Sequence, residues 1–257
     1  MLEPHAGFNS SIVTRRIDWA AHLFSLRVQV ANTPYIAGQF TKLALYDDQG
    51  ELIRRAYSIV NHPRDHQQTG ELEFLIITDP NGQLSPRLQK LKIGDELLVG
   101  TEGAGFMTLN EIPQQANDLW LLSTGTAIGP FLSILDDETI KTRFQRIILV
   151  NATRYDFEQS YQEQIIQLKS RYQERFTYVP VVSRESVSGA LSGRIPMLLD
   201  THALQTAAGL SLDTEKSFIY LCGNPEMVKD TTESLKKMGF RRHLRRKHGQ
   251  FSSENYW

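Results

Sequence analysis

The sequence predicts two domains of different class. Residues 1–103 read as a small antiparallel β barrel or sandwich, and residues 104–257 as an α/β domain with a parallel sheet. Three observations carry this. About six short strands, separated by turn signals, fill the first part of the chain. From residue 119 the pattern changes to strand followed by helix, repeated to the C-terminal region. Between the two regimes lie Gly103-Ala104-Gly105-Phe106 and a polar run over 114–118, which read as the boundary.

Residues 12–30 hold two strands around a polar break at 18–22, with apolar and polar residues alternating from Leu26 onward. Such alternation marks a strand buried on one face. Residues 38–46 alternate as well, and Asp47-Asp48-Gln49-Gly50 is a turn signal. A strand over 52–61 follows, then a polar loop over 62–70, then strands at 71–78 and 96–99. The helical stretch of this half is 84–91, with Ser85 suited to cap it and Pro86 to open it. In the second half, strands are expected at 119–122, 146–151, 176–182 and 218–222. Helices are expected from 130, over 161–176, from 195, and over 225–238. Arg146-Ile147-Ile148-Leu149-Val150-Asn151 is the near-continuous apolar kind of strand found in sheets covered on both faces.

Composition removes several classes of function. With 40% hydrophobic and 22% charged residues and a net charge of −1, bulk charge predicts neither nucleic-acid nor membrane binding. The one cysteine, Cys222, excludes an intramolecular disulfide and any four-cysteine metal or iron–sulfur site. No apolar run approaches the roughly 20 residues of a membrane span, and residues 1–5 lack the layout of a secretory signal. A cytoplasmic location is expected.

The stretch with the densest chemistry is Arg54-Arg55-Ala56-Tyr57-Ser58. On a strand, Arg55 and Tyr57 share one face and Ser58 lies on the other. A guanidinium fork beside a flat ring suits a ligand with a phosphate and a conjugated ring. Gly82-Gln83-Leu84-Ser85 leads into a helix N-terminus, where free amides and the dipole favour an anion. In Ser123-Thr124-Gly125-Thr126-Ala127-Ile128-Gly129-Pro130, Gly125 permits close approach of a diphosphate and Thr126 adds a hydroxyl, without forming a P-loop. Arg154, Arg184 and Arg194 each follow a strand end and can gather round one dianion. In dinucleotide folds arginine favours the 2′-phosphate of NADP. Cys222 ends the last strand before Gly223-Asn224-Pro225. The basic run 241–248 is either a solvated charge run or a docking patch for an acidic partner. The terminal Tyr256 and Trp257 either pack on protein or stack on a flat cofactor.

In this order, the motifs resemble the ferredoxin–NADP⁺ reductase family, and most closely its bacterial ferredoxin/flavodoxin members that end in an aromatic pair. The likeness spans nearly the whole chain. It implies an antiparallel barrel binding FAD, an α/β domain binding NADP(H), and a C-terminal tail that returns to the flavin. The resemblance implies that Arg55, Ala56, Tyr57, Ser58, Ile76, Gly82, Gln83, Leu84, Ser85, Thr126, Tyr256 and Trp257 bind FAD. Arg55 would hold flavin phosphate, Tyr57 would stack on the isoalloxazine, and Ser58 would hydrogen-bond near N5. Thr126, Arg154, Ser183, Arg184, Arg194, Cys222 and Asn224 would bind NADP, with Cys222 beside the nicotinamide. Tyr57, Ser58 and Cys222 would then be the catalytic set. Tyr256 and Trp257 would cover the FAD, Trp257 on its adenine. The partners implied are ferredoxin or flavodoxin, docking on the basic run.

Two departures stand out. Ser123 occupies a position where the family often has glycine, with little effect expected because Gly125 and Gly129 remain. The carboxylate and final tyrosine of plant-type enzymes are read as absent from this terminus, so their roles are not carried over. Two other readings fit the fold: an NAD(P)H–flavin or oxygenase-system reductase, and a non-catalytic flavin-binding subunit. A nucleic-acid binder using the basic run is disfavoured by overall neutrality.

Overall fold

The computed structural model describes residues 5–244 and 246–256. They form two compact units. One runs to Thr108 and takes in Gly129–Asp137; the other comprises Leu109–Ile128 and the chain from Glu138.

The first unit contains β1 (Phe8–Ala20), β2 (Leu23–Gln29), β3 (Phe40–Tyr46), β4 (Leu52–Ser58), α1 (Pro63–Thr69), β5 (Glu71–Ile77), α2 (Ser85–Lys90) and β6 (Glu96–Gly100). Its six strands make one antiparallel sheet in the order β4-β3-β6-β1-β2-β5. Alternate residues point inward to one core: Phe24, Leu26 and Val28 from β2, Leu43 and Leu45 from β3, Leu72, Phe74 and Ile76 from β5, Leu97 and Val99 from β6. Period-two alternation makes such a face. Leu84 and Leu88, one helical turn apart, fix α2 onto that core. Just beyond β4, Ile59 bridges Phe74 of β5, and the Val60 amide donates to the Glu73 carbonyl at 2.9 Å.

Two local expectations are corrected here. Residues 62–70 are not a polar loop, because Pro63–Thr69 is helical. The His62 ring accepts from the Arg64 amide, Pro63 opens the helix, and Gly70 closes it at φ 71° with its amide donating to the His66 carbonyl. Polar composition hid a helix whose signals were all at its ends. Ser85 does not cap α2, whose N-cap position is Leu84. The Ser85 hydroxyl instead accepts from the Asp79 amide at 3.0 Å, bracing the preceding turn.

The second unit contains β7 (Asp118–Thr124), the start of α3 (Ile128–Leu135), α4 (Ile140–Arg143), β8 (Arg146–Thr153), α5 (Gln162–Tyr172), β9 (Phe176–Val182), β10 (Leu191–Ser192), α6 (Ile195–Asp200), α7 (Ala203–Ala208), β11 (Ser217–Gly223), α8 (Pro225–Lys237) and β12 (Phe251–Asn255). The rest of α3 belongs to the first unit. All six strands are parallel, in the order β10-β9-β8-β7-β11-β12. Trp120, Leu122, Ile148, Val150, Ile219 and Leu221 meet α6, α7 and α8 on one face. Leu119, Leu121, Ile147 and Leu149 on the opposite face are also fully buried. Double burial explains the near-continuous apolar runs. Helix α5 stops at Tyr172, short of the expected 176, where Gln173 takes φ 53° and a short 3₁₀ turn leads into β9.

The C-terminal region is more ordered than its composition suggested. Strand β12 lies parallel to β11, with Cys222 opposite Glu254. Before it, the basic run folds back on itself: Leu244 and Lys247 exchange backbone hydrogen bonds at 2.9 Å, and the Gln250 amide donates to the Arg241 carbonyl. Arg241, Arg242, Arg246 and Lys247 are exposed on this hairpin.

Candidate functional site

In the first unit, strand register settles which side chains share a face. Tyr57 stands opposite Thr41 and Arg55 opposite Leu43, on the face that continues the core. Ala56 opposite Lys42 and Ser58 opposite Phe40 occupy the other face. Tyr57 packs half-buried against the core edge. Burial pushes its phenol up to about 12, partly offset by the Arg55 cation, so the hydroxyl stays protonated. Arg55 is exposed, and its guanidinium donates to the Arg54 carbonyl at 2.7 Å. A half-exposed ring beside an exposed planar cation fits a flat ligand carrying a phosphate. Gly82 closes a turn onto the Asp79 carbonyl at 2.9 Å, and Gln83 is exposed beside it. Leu84 and Ile76 are core residues.

In the second unit, the functional residues collect at the carboxyl ends of parallel strands, where ligands of open α/β sheets bind. Ser123 is fully buried, and its hydroxyl is within donor distance of the Val150 carbonyl (2.9 Å) and Asn151 Oδ1 (3.1 Å). The serine is thus a structural tie between β7 and β8. The Thr124 hydroxyl accepts from the Asn224 amide at 2.9 Å. Gly223 has φ 133°, and a Cβ there would lie 2.0 Å from Thr124 Oγ1, so only glycine lets β7 and β11 approach this closely. Gly125 takes φ 55° beside open space, and Thr126 is buried. Asn224 caps α8, its side chain accepting from the Glu226 and Met227 amides.

The arginines come from three adjacent strand ends. The Ser183 amide donates to the Thr153 carbonyl and the Arg184 amide to the Arg154 carbonyl, both at 3.0 Å. Arg194 follows β10, which pairs with β9 at Ser192 and Val182. All three guanidiniums are exposed, and among the described residues none is in an ion pair. Arg184 lies 5.9 Å over the Tyr155 ring, which stacks on Phe157 at 5.5 Å. Exposed, unneutralised arginines at adjoining strand ends fit a dianion. Beside them opens a cleft of about 260 Å³ lined by Asp156, Gln159, Gln162, Tyr178, Gly189 and Ala190.

Cys222 has no exposed surface and lies between Ser123 of β7 and Glu254 of β12. Burial first, then the Glu254 carboxylate, raise its pKa well above the ordinary value; a hydrogen bond with the Tyr256 side chain opposes them. The thiol is therefore neutral and suited to packing rather than nucleophilic attack. A carboxylate near the terminus does reach the cysteine, since Glu254 faces Cys222 across the β11–β12 pair. Reading the last residues as a tail hid this, because no apolar alternation marks Phe251-Ser252-Ser253-Glu254-Asn255 as a strand. Trp257 and Arg245 lie outside the described residues.

Two domain families match the chain: "Oxidoreductase FAD-binding domain" over residues 12–104 and "Oxidoreductase NAD-binding domain" over 121–233. A flavodoxin/ferredoxin–NADP reductase of Shigella flexneri is 48% identical over 219 residues, covering 85% of this chain and 86% of the relative. The chain belongs to the flavodoxin/ferredoxin–NADP reductase family. A Buchnera aphidicola member (subsp. Baizongia pistaciae) is 42% identical over 93% of this chain and 94% of its own. A ferredoxin NADP⁺ reductase from Neisseria gonorrhoeae, solved with bound FAD and NADP, superposes with TM-score 0.90 at 31% identity, over 98% of this chain and all of that one. The protein is thus an FAD-dependent oxidoreductase of this reductase family. The FAD-binding match spans the sheet carrying Arg55, Tyr57 and Ser58, and the NAD-binding match spans Gly125 to Asn224. Glu254 lies beyond both matched segments, and its pairing with β11 brings it to notice.

Proposed function

We propose that the protein moves electrons between NADP(H) and ferredoxin or flavodoxin through FAD, in the cytoplasm. The observation that carries the NADP assignment is the set of three exposed arginines at the ends of β8, β9 and β10, which have no ion-pair partner among the described residues. They supply what a 2′-phosphate needs and a bare ribose does not. Among the described residues no helix is long and apolar enough to cross a membrane. We assign FAD binding to residues 1–103, read as an antiparallel barrel, and NADP(H) binding to residues 104–257; the bridge between Ile59 and Phe74 supports the barrel reading.

Bound FAD would supply two-electron hydride chemistry with NADPH and one-electron chemistry with the carrier. The chain's residues bind and orient. Arg55 would neutralise flavin phosphate, Tyr57 would offer its ring for stacking, and the Ser58 hydroxyl would donate near N5. The turn over Gly82, Gln83, Leu84 and Ser85, with Ala56 and Ile76, completes the flavin cradle. Thr126 serves both nucleotides, and Ser183 joins Arg154, Arg184 and Arg194 at the 2′-phosphate. Asn224 acts through its helix cap on the turn after Cys222. Cys222 would sit beside the nicotinamide, with Glu254 next to it, and Tyr256 would cover the FAD. The thiol is fully buried, and its hydrogen bond with the Tyr256 side chain puts that residue beside it.

The test is the absorbance spectrum of the purified protein, followed anaerobically on adding NADPH and, separately, NADH. A yellow protein bleached quickly by NADPH and slowly by NADH supports flavin, hydride transfer and the arginine site together. A flavin spectrum that neither nucleotide changes removes the enzyme and keeps the fold.

A further inference from the structure

We propose that Gln159 is a positioning residue for dinucleotide selectivity: its carboxamide fixes Thr153, from which both Arg154 and the pair Ser183 and Arg184 are hung. This rests on the reading of those arginines as a 2′-phosphate site.

Gln159 follows β8 at the turn into α5 and closes a polar network inside an apolar sheet end. Its Oε1 accepts from Asn151 Nδ2 at 3.1 Å and from the Tyr178 hydroxyl at 2.6 Å. Its Nε2 donates to Thr153 Oγ1 at 3.0 Å and lies 3.3 Å from the carbonyls of Asn151 and Val181. One carboxamide therefore meets both β8 and β9, and through Asn151 and Ser123 it reaches β7. A carboxamide presents the paired donor and acceptor that these partners need. Asn151 has no exposed surface, and burial raises the Tyr178 pKa, keeping its hydroxyl a donor.

Thr153 transmits the constraint in two directions. Its hydroxyl, held by Gln159, donates to the Tyr155 carbonyl at 2.8 Å, which brackets Arg154. Its carbonyl accepts from both the amide (3.0 Å) and the hydroxyl (3.1 Å) of Ser183. The Glu158 carboxylate closes the same loop by accepting from the Arg154 and Tyr155 amides. Gln159 touches neither arginine side chain, so it acts through backbone placement. Charge-assisted bonds to a phosphate depend on that placement.

The experiment uses the full-length, FAD-loaded protein with ferricyanide as acceptor and compares NADPH with NADH. For Gln159→Leu we expect KM for NADPH to rise ~10-fold, kcat to stay within about twofold, and KM for NADH to be unchanged. Tyr178→Phe, which removes one bond and keeps the ring, should shift KM for NADPH the same way by ~3-fold; it decides the matter if the leucine variant does not fold. Equal KM shifts with both nucleotides, or no shift with NADPH, overturn the proposal. Arg184→Ala run in parallel separates the causes. If it abolishes NADPH preference while the other variants do not, Gln159 fails as a positioner and the anion site stands. If Arg184→Ala leaves the preference intact, the 2′-phosphate reading fails and takes the proposal with it.

Discussion

At the scale of single residues, selectivity and close packing are set by a few side chains at strand ends. Arg184 and Arg194 are exposed cations without a carboxylate partner among the described residues, so a bound phosphate would be their first strong acceptor. Replacing both with alanine should raise KM for NADPH by ~100-fold and leave NADH nearly unchanged, as read from steady-state kinetics. Equal losses with the two nucleotides would place the arginines elsewhere in function. Gly223 is a packing position. Alanine there would combine a φ of 133° with a contact onto Thr124 Oγ1. Gly223→Ala should cost about 2 kcal/mol in urea unfolding, partly recovered by adding Thr124→Ala.

At the scale of elements, α1 carries a titratable group in its packing. His66 is buried, and the Thr33 amide donates to its Nε2 at 3.3 Å. Burial lowers the His66 pKa below 6.5, partly offset by the nearby Glu71 backbone. In the unfolded chain the imidazole titrates near 6.5. Above that pH both states are neutral and the contribution is fully present. As pH falls through 6.5, the unfolded state binds the proton first, and stability declines until the folded state binds it too. Thermal unfolding of the protein should therefore lose Tm on acidification from pH 7 to 5, and His66→Gln should flatten that limb. An unchanged slope in the variant would exonerate α1.

At the scale of the whole molecule, a near-neutral chain concentrates exposed cations on the hairpin before β12. Arg241, Arg242, Arg246 and Lys247 are exposed there, whereas net charge is −1 overall. A local cationic patch on a neutral protein steers an acidic carrier by attraction that salt screens. Charge reversal at Arg241, Arg242 and Arg246 should cut ferredoxin or flavodoxin reduction ~10-fold at low salt and remove most of its salt dependence. Ferricyanide reduction by the same variant should be unchanged. If carrier reduction keeps its normal salt slope, the docking face lies elsewhere.

Much of the architecture was legible from residues alone, because it is written locally. Period-two alternation in 26–30 and 38–46, the double-sided apolar run at 146–151, and helix caps at Pro225 and Asn224 all report on neighbours within a few positions. So do the Arg-x-Tyr-Ser, Gly-Thr and Cys-Gly-Asn-Pro motifs that pointed to the family. What stayed hidden depends on parallel pairing between distant segments. Alternation could not reveal β12, since its polar residues become a strand only by bonding to β11. With β12 in place, Glu254 and Tyr256 meet Cys222, and a cysteine that sequence alone leaves ambiguous becomes a buried, neutral thiol. Gln159 carries no motif, and its role exists only where β7, β8 and β9 end together. Sequence thus determined most of the elements and, through the family resemblance, the cofactor chemistry they serve. The tertiary structure decided which polar groups share a hydrogen bond, because that is fixed by sheet register and not by proximity along the chain.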